Sequence, residues 1–221
     1  AGEHELRVRV DNRFTQESAL HVPNDYYTYG GITRPMAMEE LGDVYIKNLH
    51  FEPFMTESGW HAKIKVTLVN LSDCEQTAEL DGRLAADMIY AASDSDTNIT
   101  LAPDEEHTLE VEAAFTDVLA WSSREPNLYL VKLHISRDGK IVDDYIDRVG
   151  FRQVKVSGKD ILVNGEKIYM KGFNRHEDYA TVGCAIPLQL MAQDMDLMQE
   201  MNANAVRTCH YPNDERFLDL C

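Results

Sequence analysis

Apolar and polar positions alternate along most of the chain, and the spacing of that alternation divides it into strands. His4-Glu5-Leu6-Arg7-Val8-Arg9-Val10 alternates residue by residue and reads as a strand. Val44 to Phe51 is a second strand candidate, and Trp60 to Val69 a cleaner one. There Ile64, Val66 and Leu68 point one way and Lys63, Lys65 and Thr67 the other. Thr77 to Leu84, His107 to Phe115, Leu128 to Ser136 and Lys140 to Phe151 continue the series. Turn signals separate them at Leu71-Ser72-Asp73, Ala102-Pro103-Asp104 and Arg137-Asp138-Gly139. About seven short strands within roughly 100 residues is the strand count of an immunoglobulin-like β-sandwich. No helical periodicity interrupts it.

After Arg152 the pattern changes. Asp160 to Ile168 reads as a hairpin turned at Asn164-Gly165, a pair suited to the positive φ angles of a tight two-residue turn. Ile168 to Phe173 is an apolar strand. From Pro187, residues Leu188, Met191, Met195 and Met198 recur at helical spacing until about Asn202, with proline favoured in the first helical turn. A methionine stripe of this kind is core packing rather than a cofactor site. Ala203 to Cys209 is then a strand and Asn213 onward a helix. Strand, helix, strand, helix opens a parallel α/β unit, which this length of chain cannot close into a barrel. The chain starts in a strand and stops in a helix, so it reads as cut at both ends. The apolar face of the 187–201 helix is then expected to fold back on the sandwich, pair with a second copy or stay mobile.

Charge removes some functions. With 38 Asp+Glu against 21 Lys+Arg, a net charge of −17 repels phosphate backbones and anionic lipid surfaces, so neither nucleic acid nor membrane is an expected partner. The four cysteines, Cys74, Cys184, Cys209 and Cys221, form neither a zinc-ribbon pair nor a disulfide framework. A reducing, cytoplasmic setting fits them. The sequons at Asn70 and Asn98 are short enough to arise by chance.

Four constellations could carry chemistry. Asn174-Arg175-His176-Glu177-Asp178 and Arg207-Thr208-Cys209-His210-Tyr211-Pro212 each follow a strand of the α/β part, on the face where barrel enzymes place their sites. Singly, each has a bland reading: Arg175 and Glu177 as a surface ion pair, His210 as a satisfied histidine by a turn. Together, at matched strand ends, they favour a site. A zincin motif is excluded because Ala180 stands where the second histidine belongs. Cys209 and His210, as strand neighbours, are expected on opposite faces and not as a nucleophile–base pair. Glu177 and Asp178 are too close in sequence to flank a sugar bond at the separation of about 5 Å that retaining glycosidases use. The third constellation, Asp25 with Tyr26, Tyr27 and Tyr29, suits a sugar, with a carboxylate for hydroxyls and rings for the apolar face. A tyrosine-rich packing turn explains it equally well. The fourth, Trp121 to Tyr129, is structural, its proline and aromatics pinning the entry to a strand.

These segments, in this order, resemble glycoside hydrolase family 2. Asp25 to Arg34, with Gly30-Gly31-Ile32, is similar to the end of that family's sugar-binding jelly roll. Trp121-Ser122, Pro126 and Leu128-Tyr129, then Gly150-Phe151-Arg152, resemble its sandwich domain. Arg175-His176-Glu177 and Asn204 to Pro212 resemble the first strand ends of its catalytic barrel. The resemblance covers essentially the whole chain. It implies a mainly β chain in three parts: a jelly-roll tail at 1–40, an immunoglobulin-like β-sandwich at 41–151 and the first units of a truncated (β/α)8 TIM barrel at 152–221.

The resemblance further implies a retaining β-glycosidase that hydrolyses terminal β-galactosides, with Asp25, His176, Arg207 and His210 binding the substrate. Both catalytic glutamates fall downstream of Cys221, so this chain alone is expected to be inactive. No cofactor or metal is implied, and the partner is a β-linked carbohydrate; a homo-oligomer is compatible. Asp25 to Tyr29 and His176-Glu177-Asp178 are similar to β-glucuronidases, whereas Asn174-Arg175-His176 and Asn213 are similar to β-galactosidases. A β-glucuronidase, or a non-catalytic structural or carbohydrate-binding sandwich, is therefore the alternative.

Overall fold

The computed structural model describes residues 3–13, 15–16, 26–84, 87–90 (backbone only) and 98–221. The chain divides into two compact units, one of residues 39–169 and one combining 1–38 with 170–221.

The first unit is the sandwich. Its strands are β1 (Val44–Thr56), β2 (Gly59–Asn70), β3 (Gln76–Leu84), β4 (Asp87–Tyr90), β5 (Asn98–Leu101), β6 (Glu106–Phe115), β7 (Tyr129–Arg137) and β8 (Lys140–Val149). One antiparallel sheet has the order β1-β2-β6, and the other β4-β3-β7-β8 with β5 also on β3. Alternation sets the register. Ile64, Val66 and Leu68 of β2 are fully buried and face Val131, Leu133 and Ile135 of β7 within one core. On the outer face, Lys65 pairs across the ladder with Glu110 at 3.0 Å and Thr67 with Thr108 at 3.0 Å. Phe151 sits at 0% exposure where four rings meet, those of Phe51, Trp60, Phe115 and Tyr129, with centroids 5.2–5.7 Å away.

The Trp121 to Tyr129 segment is the structural pin expected. Trp121 N–H donates to Phe151 O at 2.9 Å, and the Tyr129 hydroxyl accepts from Leu119 N–H at 2.7 Å. A small sheet of β9 (Val154–Ser157), β10 (Asp160–Val163) and β11 (Glu166–Lys167) follows. Its turn carries Asn164 at φ 52° and Gly165 at φ 84°. The Asn164 amide donates to Trp121 O at 2.9 Å, which explains why this hairpin belongs to the sandwich unit.

The second unit holds β12 (Gly172–Arg175), α1 (Leu188–Glu200), β13 (Ala205–Thr208) and α2 (Glu215–Leu220). β12 and β13 pair in parallel, with Gly172 opposite Ala205 and Arg175 opposite Thr208. A Cβ at Gly172 would lie 1.7 Å from Ala205 O, so only glycine permits this pairing. The helical spacing is observed, and Met191 packs at 1% exposure with Ile186 and Phe217. The methionine face thus has partners inside its own unit, while Leu188, Leu197 and Met201 are exposed. The strand expected at His4 to Val10 does not form. Leu6, Val8 and Val10 are more than half exposed, and no described strand pairs with them, so alternation alone builds no ladder.

Candidate functional site

The parallel pair aims its carboxyl ends at one place. β12 runs into His176, Glu177 and Asp178, and β13 into Cys209, His210 and Tyr211. The imidazoles of His176 and His210 meet edge to face with centroids 5.2 Å apart. Tyr26 lies over both, 6.0 Å from each, and 5.5 Å from Tyr211. The structure therefore brings together His176 and His210 with an aromatic of the 26–29 segment. Asp25 lies outside the described residues.

Arg207 reaches the same cluster. Its Nη2 is 3.2 Å from His210 Nδ1 and its Nη1 donates to Cys209 Sγ at 3.4 Å. The peptide between Cys209 and His210 is cis. The expectation that these two side chains point to opposite faces fails. β13 ends at Thr208, beyond which strand alternation no longer governs direction. One ligand-type atom each from His176, Cys209 and His210 lies within 4.8 Å of the others.

Beneath the histidines is a buried ionic frame. Arg175 is 6% and Glu177 1% exposed, so they are not the surface pair that their sequence spacing suggested. Arg175 Nε donates to Asp194 at 2.8 Å, and its guanidinium stacks 3.9 Å over the Phe217 ring. Glu177 Oε2 accepts from Arg34 Nη2 at 2.5 Å and Oε1 from Asp214 N–H at 2.8 Å, while its own N–H donates to the Tyr211 hydroxyl at 2.9 Å. Arg34 also donates to Pro212 O at 3.0 Å.

Asp214 caps α2 by accepting from Arg216 N–H at 2.9 Å. Its hydrogen bonds from the Arg216 side chain hold its carboxyl below the usual carboxylate range. Tyr29 donates to Asp178 at 2.8 Å, which pushes its phenol up to about 12. Burial raises the Tyr211 phenol.

This geometry leaves Glu177 and Asp178 occupied in holding the loop. Glu177 positions the strand ends and Asp178 accepts from Tyr29, and neither faces the other as an acid/base pair would. What is free to meet a ligand is a group of imidazoles, phenols and a guanidinium. Such groups exchange hydrogen bonds with hydroxyls and pack on the apolar face of a sugar ring. Asp214 was not singled out from sequence, and Arg34 and Tyr211 were named only as members of their segments, with no role of their own. Arg34 stands in the segment with Gly30-Gly31-Ile32, but its partner lies 143 residues away, beyond any local signal.

Two family models match. Residues 44–152 match Glycosyl hydrolases family 2, and residues 154–221 match Glycosyl hydrolases family 2, TIM barrel domain. A β-galactosidase of Streptococcus thermophilus is 30% identical over 226 residues, covering 100% of this chain and 21% of its own length. The crystal structure of a family 2 β-galacturonidase from Eisenbergiella tayi bound to galacturonate is 42% identical. It superposes with a TM-score of 0.90 over 96% of this chain and 37% of that one. A Bacteroides uniformis β-glucuronidase, 22% identical with a TM-score of 0.73 over 82% of this chain and 23% of its own, shares the fold. The chain spans about a quarter or less of the length of curated relatives it matches, 26% of one and 21% of the Streptococcus enzyme.

Proposed function

We propose that this chain, which belongs to glycoside hydrolase family 2, forms part of the sugar-binding mouth of a retaining β-glycosidase acting on terminal galactose-configured sugars. Of that class, the reading favours a β-galacturonide. The observation that carries it is the 42% identity, across 96% of the chain, to an enzyme whose structure holds galacturonate. It also reconciles the two halves of the sequence resemblance. Galacturonate has the C4 hydroxyl orientation of galactose and the C6 carboxylate of glucuronate. The galactosidase-like Asn174-Arg175-His176 and the glucuronidase-like Asp25 to Tyr29 then serve one sugar.

In this reading His176 and His210 exchange hydrogen bonds with ring hydroxyls, as Asp25 does by resemblance. Tyr26 packs against the sugar, and Arg207 orients groups at the mouth through its fixed fork of donors. The glutamates of the double displacement belong to the rest of the protein. The neutral β-galactoside is the second reading, favoured by the Streptococcus thermophilus relative. A cytoplasmic setting accords with the four unpaired cysteines.

The test is turnover of aryl β-galacturonide, β-galactoside and β-glucuronide by the full-length protein. The galacturonide is expected to give the highest kcat/KM, with His176→Gln and His210→Gln lowering it. Preference for the galactoside moves the assignment to the second reading. Preference for the glucuronide, or turnover of none, overturns the galactose configuration.

A further inference from the structure

Sugar recognition uses the imidazoles but gives no role to the sulfur beside them. Cys209 is 1% exposed, and its Sγ lies within 4.8 Å of a ring nitrogen of His176 and one of His210. We propose that His176, Cys209 and His210 form a binding site for a borderline-soft divalent cation of the zinc class. Two imidazole nitrogens and one thiolate would bind it, leaving a fourth position for water.

Donor chemistry selects the ion. Thiolate with imidazole suits zinc or cobalt and not the oxygen-seeking magnesium or calcium. With metal–nitrogen and metal–sulfur bonds of about 2.0 and 2.3 Å at tetrahedral angles, ligand atoms stand about 3.3–3.6 Å apart. The cluster must therefore contract by about 1 Å. His210 is exposed and can supply that movement, while the sulfur is held in place by burial.

One group opposes the ion. The Arg207 guanidinium sits against both Sγ and His210 Nδ1. It shares their lone pairs with any metal and repels a cation. Arg207 is exposed, so it can turn outward. Binding then exchanges the guanidinium for the metal at Cys209 Sγ. Because His176 and His210 also serve the proposed sugar site, ion and sugar exclude one another. That corollary alone rests on the glycosidase reading.

Cobalt(II) titration of the intact 221-residue chain tests the site without turnover, so its failure is distinct from a failure of the glycosidase reading. The expected result is a thiolate-to-cobalt charge-transfer band that saturates at one ion per chain and is displaced by zinc. The band is lost in Cys209→Ser and retained in a variant with Cys74, Cys184 and Cys221 all changed to serine. His210→Gln, at an exposed position, weakens binding by at least about tenfold. Arg207→Gln tightens it. Absence of the band in the unaltered chain, its survival in Cys209→Ser, or unchanged affinity in His210→Gln overturns the proposal.

Discussion

Replacing Arg34 by alanine tests whether the ionic frame under the histidines is held from the N-terminal segment. Glu177 is 1% exposed and takes its shortest hydrogen bond, 2.5 Å, from Arg34. Removing one partner of a fully buried ion pair costs about 3–5 kcal/mol, because the remaining charge has neither water nor counterion. Here the cost is smaller. The Arg34 side chain is 37% exposed, and Glu177 keeps the Asp214 N–H at 2.8 Å and Arg175 at 3.8 Å. We expect about 2 kcal/mol.

Glu177→Gln should cost a similar amount, since its amide turns a donor toward Arg34 or toward the Asp214 N–H. The double variant should lose less than the sum, with a coupling of about 1–2 kcal/mol. Tryptophan fluorescence does not see this event, because both tryptophans, Trp60 and Trp121, belong to the 39–169 unit. Hydrogen exchange of peptides from 170–221 does. About 2 kcal/mol corresponds to exchange roughly 30-fold faster in α2 and the 209–214 loop. Acceleration below about threefold, or equal acceleration across 39–169, would refute the argument.

Three further outcomes follow from single contacts. Gly172→Ala should separate β12 from β13, since its methyl carbon would meet the Ala205 carbonyl at 1.7 Å; native-like exchange protection of residues 205–208 in this variant would contradict the close approach. Phe151→Ala should cost about 3–5 kcal/mol in denaturant unfolding followed by tryptophan fluorescence, as it empties the space between four rings; a loss under about 1 kcal/mol would show that the core collapses into the gap. Tyr29 has a raised folded pKa of about 12, so its bond to Asp178 contributes fully below the unfolded phenol value of about 10 and is lost as pH rises through 12. Tyr29→Phe should therefore delete one proton from the late part of a tyrosinate absorbance titration, and superimposable curves would remove the assignment.

The sandwich was readable because its information is local. Ile64, Val66 and Leu68 state the inner face of β2 in their spacing, and Asn164-Gly165 states a turn in the φ angles it tolerates. Where partners decide, spacing misleads. His4 to Val10 alternates as well as β2 does yet pairs with no described strand. β5 is four residues long, and only its ladder with β3 makes Ile99 and Leu101 core residues. Four residues give too few periods for alternation to register.

The site shows the same limit more sharply. His176 and His210 could be chosen from sequence because matched strand ends converge on one face. What the neighbouring charges do could not. Glu177 sits beside a candidate ligand histidine, where a carboxylate invites a catalytic role. Its environment of Arg34, Arg175 and the Asp214 N–H makes it a fixed counterion instead. The residues that give it that environment stand 143 and 37 positions away, with Arg175 alone nearby. A motif therefore specifies which side chains arrive at a barrel mouth. The long-range partners specify which of them remain free to act, and here they commit Glu177 to structure while the imidazoles and the Cys209 sulfur stay outside the ionic frame, with Arg207 as the neighbour of Cys209 and His210.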